Sequence, residues 1–132
     1  MDPMQISRTG LDVEWRRMEV VAANLANMNT TRTALGGPYQ PLRLVSGPRT
    51  DFAGELAAAE PLNGVQVYGL EPVNAPPRRV HEPAHPHADA EGYVLYPAVD
   101  HTDEMILLTQ TARAYEANLV ALNAGRQIYA RA

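Results

Sequence analysis

The 132-residue sequence contains no cysteine, which excludes disulfide scaffolds, thiolate metal sites and cysteine nucleophiles. It also contains no lysine, so all eleven cations are arginine. Schiff-base chemistry and the phosphate-binding lysine of a P-loop are removed with it. Aromatic residues make up 6% of the chain, leaving few large side chains to anchor a compact core. There is no surplus of positive charge; the net charge of −4 argues against a nucleic-acid partner, which would demand cations for its phosphates. Nor is there an apolar run of the ~20 residues that a membrane span needs. The longest uncharged stretch near the start, residues 20–31, is interrupted by Asn24, Asn27 and Asn29. No basic region followed by an apolar one opens the chain, so no cleaved signal peptide is expected.

What is present divides the chain into three. Residues 1–31 read as one helical segment, with Asp2 as N-cap and Pro3 at the first helical position, where a missing N–H costs nothing. The helix is expected to run from residue 3 to about 29. Leu11, Trp15, Met18, Ala22 and Leu25 follow a 4-3-4-3 spacing that predicts a heptad seam. Val21 and Met28 widen it to the face of a packed helix. Gly10 is the expected weak point, at about 1 kcal/mol relative to Ala.

Residues 32–99 hold every proline except Pro3, and no helical period survives there. Strand-like pieces at residues 42–45, 65–68 and 93–96, separated by Gly and Pro turns, predict a small irregular β-rich module. The proline-rich stretch 74–90 is the expected mobile part. Residues 100–132 form the third segment, a longer helix over 101–130 with Asp100 as N-cap and Asp103 near the positive end of the helix dipole. Met105, Leu108, Ala112, Tyr115, Leu119, Leu122 and Tyr129 give its seam, interrupted at Arg126. The fold class is therefore α+β: two long terminal helices, roughly 40 and 45 Å in length, paired parallel or antiparallel as a coiled coil, with the β-rich module inserted between them.

The faces away from the seams carry the functional argument. Residues 20–28 and 117–125 contain no charge at any angular position. A helix that is apolar or small all round is buried all round, yet the rest of the chain is too small to cover two such helices. Other chains are the expected cover. Asn24, Asn27 and Asn118 lie off the seams, where an uncharged amide serves a buried interface without the desolvation cost of an ion. Ala-Asn-Leu recurs at 23–25 and 117–119. The expected assembly interface is therefore Leu11, Trp15, Met18, Val21, Asn24, Leu25, Asn27 and Met28 on the first helix. On the second it is Met105, Leu108, Tyr115, Asn118, Leu119, Leu122 and Tyr129.

The segment around Asn24-Leu25-Ala26-Asn27 resembles the N-terminal Asn-Leu-Ala-Asn motif of the bacterial flagellar axial proteins of rod and hook. Gly36-Gly37-Pro38-Tyr39 follows it closely. Residues 82–97, opening Glu82-Pro83-Ala84-His85-Pro86-His87 and closing Tyr93-Val94-Leu95-Tyr96-Pro97, match a loop-and-strand signature of the family. Ala112-Arg113-Ala114-Tyr115-Glu116-Ala117-Asn118 sits in the second helix. In that combination the chain resembles the proximal-rod members over nearly its whole length. Ala98 departs from the Asn usual after the Tyr-Pro pair, and residues 49–79 match nothing in the family.

The resemblance implies a self-assembling structural subunit of the flagellar basal-body rod, the drive shaft between motor and hook, and not an enzyme. It implies copies of itself, other rod subunits and the flagellar export apparatus as partners, and a place in the rod within the periplasm, reached without a cleaved signal. No cofactor, nucleic acid or small-molecule substrate is expected. A different axial rod subunit is one alternative. Another, of a different class, is a periplasmic metal-binding adaptor using His81, His85 and His87 with Glu82 and Asp89; Pro83 and Pro86 forbid the helix that would align those rings. Carboxylate pairs for hydrolysis among Glu55, Glu60 and Glu71 lack any defined separation. Arg78-Arg79 reads as a solvated or interface patch.

Overall fold

The computed structural model describes residues 2–50 and 63–131. Helix α1 spans Pro3–Ala26. The Asp2 side chain accepts from the Met4 N–H at 3.0 Å, and the Gln5 side chain accepts from the Asp2 N–H at 3.3 Å, a reciprocal capping box behind Pro3. The helix stops three residues short of the expected end because Asn27 turns inward on it. Its backbone N–H and its Nδ2 both donate to the Ala23 carbonyl, and the Thr30 hydroxyl donates to its Oδ1. Thr33 and Gly37 then close a tight turn in which Gly36 and Gly37 take φ of 82° and 74°, a backbone that side chains disfavour.

Strands β1 (Leu42–Pro48) and β2 (Val65–Pro72) form an antiparallel ribbon, Leu42 opposite Pro72 and Pro48 opposite Val65. Its register breaks between Val45 and Ser46, where Tyr68 is the extra residue of a bulge. Strands β3 (Arg78–His81) and β4 (Tyr93–Tyr96) make a second ribbon, Arg78 opposite Tyr96. The expected strands at 42, 65 and 93 are present. The stretch 74–90, expected to be the most mobile, instead contributes strand β3. Helix α2 (His101–Arg131) begins at Asp100, whose Oδ1 accepts from the Asp103 N–H at 3.0 Å.

The two helices run antiparallel. Met4 meets Gly125, Gly10 meets Asn118, the Trp15 and Tyr115 rings lie 6.0 Å apart, and Asn24 reaches Glu104. The seam itself differs from the expected one. On α2 the inward stripe is Glu104, Leu108, Thr111, Tyr115, Asn118, Leu122 and Gly125, buried or half-buried. Leu108, Tyr115 and Leu122 are placed as expected, but Met105 and Leu119 are exposed, one residue off the stripe. Four of these seven positions are polar or small, so choosing the nearest apolar residue in each heptad selects the flank of the seam. On α1 the buried positions are Gly10, Val13, Val21 and Asn24, turned by roughly a third of a turn from the stripe through Trp15 and Ala22, both exposed. The cause is the β module: α1 packs on β1 and β2 as well as on α2, and its buried face lies between them. Gly10 is no kink. It lies inside a continuous helix, buried beneath Asn118.

Ribbons of two strands are marginal alone, and side chains of α1 tie this one down. Arg17 donates to the Leu44 carbonyl at 3.0 Å and to Ser46 Oγ, while Glu14 holds its Nε. The Val65 N–H donates to Thr9 Oγ1 at 3.1 Å. Val13, Val21, Leu44 and Leu122 supply most of the apolar core, with Val94 and Val99 towards the second ribbon. No helix among the described residues is long and apolar enough to cross a membrane.

Candidate assembly interface

Asn24, at the end of α1, is completely buried. Its Oδ1 accepts from the Leu42 N–H at 3.1 Å and its Nδ2 donates to the Leu42 carbonyl at 2.8 Å. The amide thus pairs with both backbone groups of one residue, as a neighbouring strand would. The Tyr39 hydroxyl donates to the same Oδ1 at 2.9 Å, so the Asn-Leu-Ala-Asn and Gly-Gly-Pro-Tyr segments are bonded directly to each other. Asn24 Nδ2 also reaches Glu104 Oε2 at 3.5 Å, and Glu104, 2% exposed, forms an ion pair with Arg43. Burial, and then the charge of Glu104, push the Tyr39 phenol above its ordinary range. No described buried side-chain polar atom is left without a partner.

This knot joins the end of α1, the start of β1 and the start of α2. Of its members only Asn24 is expected from sequence. Glu104 carries a signal after all: it is a carboxylate four residues before Leu108, on the seam rather than in the exposed part of the first turn. Tyr39 carries only its membership of the Gly-Gly-Pro-Tyr segment, and Arg43 carries none.

The expected interface residues separate into three groups. Val21, Asn24 and Leu122 are buried within the chain, and Asn27 is spent on the helix end. Leu11, Met18, Leu25, Met28, Leu108, Tyr115 and Asn118 are half-buried. Trp15, Met105, Leu119 and Tyr129 are exposed, and with them Ile106, Val120 and Ile128, which the seam pattern misses. Val120 and Ile128 are 67% and 70% exposed. The antiparallel register also leaves α2 overhanging the start of α1 beyond Gly125, where Ile128 and Tyr129 lie.

The histidines are engaged otherwise than as ligands. The His81 ring packs edge-on against Tyr93 at 4.9 Å. His85 Nδ1 accepts from the His87 N–H at 2.9 Å, and His87 Nδ1 bonds the Thr31 hydroxyl at 2.7 Å. Among the described residues no three acidic or histidine side chains are grouped to hold a metal. Glu71 is exposed on β2; Glu55 and Glu60 lie outside the described residues. Arg79 lies over the Tyr93 ring at 3.8 Å and pairs with Glu91 at 2.7 Å, and Arg78 over Tyr96 at 5.4 Å. The basic spot is thus part of the second ribbon's own surface.

A helix pair of mixed seam, with exposed apolar side chains on α2 and a polar knot at one end, fits a structural assembly protein, and the comparisons say of which kind. Residues 4–32 match the family model described as flagella basal body rod protein, and residues 90–132 match that of the flagellar basal body rod FlgEFG protein C-terminal. The flagellar basal-body rod protein FlgC of Borreliella burgdorferi is 31% identical over 96% of this chain and 90% of its own length. Those of Salmonella typhimurium and Bacillus subtilis are each 35% identical, over 89% and 98% of this chain and 84% and 93% of their own. The chain belongs to the FlgC family, the structural rod subunits of the flagellar basal body. The resemblance read from the motifs is borne out, and nothing favours the metal-binding adaptor.

Proposed function

We propose that the chain assembles with copies of itself and with other rod subunits through the outward faces of α1 and α2, and that torque passes through those contacts from motor to hook. It reaches the periplasmic part of the basal body through the flagellar export apparatus, without cleavage of a signal, and it turns over no substrate. Nucleic acid and small-molecule ligands have no part in this. The observation that carries the reading is the set of exposed apolar side chains on α2: Met105, Ile106, Leu119, Val120, Ile128 and Tyr129 are all open to solvent in a helix with three buried residues. Neighbouring helices are the cover that such side chains require. Trp15 on α1 adds to the set.

Leu119→Asp tests it. The side chain is 39% exposed in the single chain, so the folded chain should survive at a cost of about 1 kcal/mol, measured by thermal melting. In the assembly the new carboxylate would be buried without a partner, so incorporation into rods and motility should be lost. Leu25→Asp, on the half-buried flank of α1, should also block incorporation. Normal rods from both variants would end the proposal.

A further inference from the structure

We infer that the buried contact between Asn24 and Glu104 sets the register of the antiparallel helix pair, and with it the level at which β1 leaves that pair. The inference holds whatever covers the outer faces. Apolar packing alone does not choose the register. Leu108, Tyr115 and Leu122 recur at intervals of seven, so a slide of α2 by one heptad, about 10.5 Å, brings one apolar side chain to the place of another. The intervening seam positions Thr111, Asn118 and Gly125 are small or bonded within their own helix: Thr111 to Leu107 at 2.7 Å and Asn118 to Ala114 at 3.0 Å. Those two bonds survive a slide unchanged, although the close fit of Asn118 on Gly10 is lost with it.

The Asn24–Glu104 contact does not survive it. Both residues are essentially inaccessible, at 0% and 2% exposed, and Glu104 joins Asn24 to Arg43 on β1. A slide in either direction parts Glu104 from both partners: one way it leaves a carboxylate buried without them, a strongly unfavourable outcome, and the other way it carries Glu104 past Ala26, the end of α1. Sliding one way carries Glu104 towards Arg17, but Arg17 is already committed to Leu44 and Ser46. A single buried polar contact on an apolar seam is a known way to specify register. Here it does more, because Asn24 is bonded to Leu42. The position of α2 along α1 and the start of the β module are fixed by one amide.

The absence of cysteine makes introduced pairs a clean report in the full chain. Met4→Cys with Gly125→Cys reads the observed register, since Met4 Cγ lies 2.9 Å from a β-carbon built at position 125. Leu11→Cys with Gly125→Cys reads a slide of one heptad. In the wild-type background, oxidation should join only the first pair. In Glu104→Thr with Thr111→Glu, which moves the carboxylate one heptad along α2, cross-linking should shift to the second pair by at least tenfold. Cross-linking that stays with Met4 and Gly125 would overturn the inference. If that double variant loses its helical signal, Glu104→Leu decides. It leaves Asn24 bonded to Leu42 and Tyr39, and the slid pair should rise at least tenfold over wild type. An unchanged distribution in Glu104→Leu would equally overturn it.

Discussion

Gly10 on α1 and Asn118 on α2 face each other so closely that a β-carbon at position 10 would lie 2.7 Å from Asn118 Oδ1. The glycine thereby lets the amide of the Ala112–Asn118 segment settle against the backbone of the other helix, bonded to Ala114 at 3.0 Å. Gly10→Ala should gain about 1 kcal/mol of helix propensity, offset by the rotation it forces on Asn118 and the loss of that bond, worth about 1 kcal/mol. The single variant should therefore be near neutral. Combined with Asn118→Ala it should be more stable than the sum of the two single changes by about 1 kcal/mol, measured by urea unfolding followed by circular dichroism. Additive effects would show that the two residues do not meet.

What the sequence makes legible is the chemistry that acts locally. Asp2, Pro3 and Asp100 act within a turn of their own position, and all three sit where capping rules put them. Three strands show through apolar alternation. Strand β3 does not, because Arg78, Arg79, Val80 and His81 offer one aliphatic residue in four. It is a strand because β4 pairs with it, with Arg79 over Tyr93 adding a cross-strand contact.

The helix seams fail to show for a different reason. A heptad search looks for apolar residues, whereas this pair keeps Gly10, Asn24, Glu104, Thr111, Asn118 and Gly125 on its inner side. Three of them are acceptable there only through a partner far away in the chain: Leu42 for Asn24, Arg43 for Glu104, Met4 for Gly125. Pairings of this kind have no sequence period. The Asn-Leu-Ala-Asn segment points to the right residue for an incomplete reason. Asn24 is buried, as expected of an interface amide, but its partners lie in its own chain.

A metal role for the histidine loop should fail. Calorimetric titration with zinc should show no stoichiometric heat, because one nitrogen of His85 and one of His87 are occupied by the His87 N–H and the Thr31 hydroxyl. Replacing His81, His85 and His87 together with Gln should leave motility near wild type, since a glutamine can still bond Thr31. Stoichiometric zinc binding, or a non-motile triple variant, would return the adaptor reading to contention.

The same loop should respond to acid in two stages. The His87 imidazole is held below its ordinary value of 6.5 by burial first, then by the charges of Arg32 and His85. Between 6.5 and that lowered value the unfolded chain binds a proton that the folded loop does not, so stability falls as pH falls. The contribution is complete above 6.5 and lost on the way down. Asp89 acts further into acid. Its Oδ1 accepts from the Glu91 and Tyr93 N–H groups, each at 2.9 Å, and the Tyr93 bond is the main cause that holds its carboxyl below the ordinary 3.8. Burial opposes that shift, and Arg79 adds to it. Its contribution is full above 3.8 and lost as pH drops through the lowered value. The protection factors of the Glu91 and Tyr93 amides, exchange rates by NMR taken relative to the intrinsic rate at each pH, should therefore fall in two steps. His87→Gln should remove only the first step and Asp89→Asn only the second. A single step that neither substitution moves would place the acid sensitivity elsewhere in the chain.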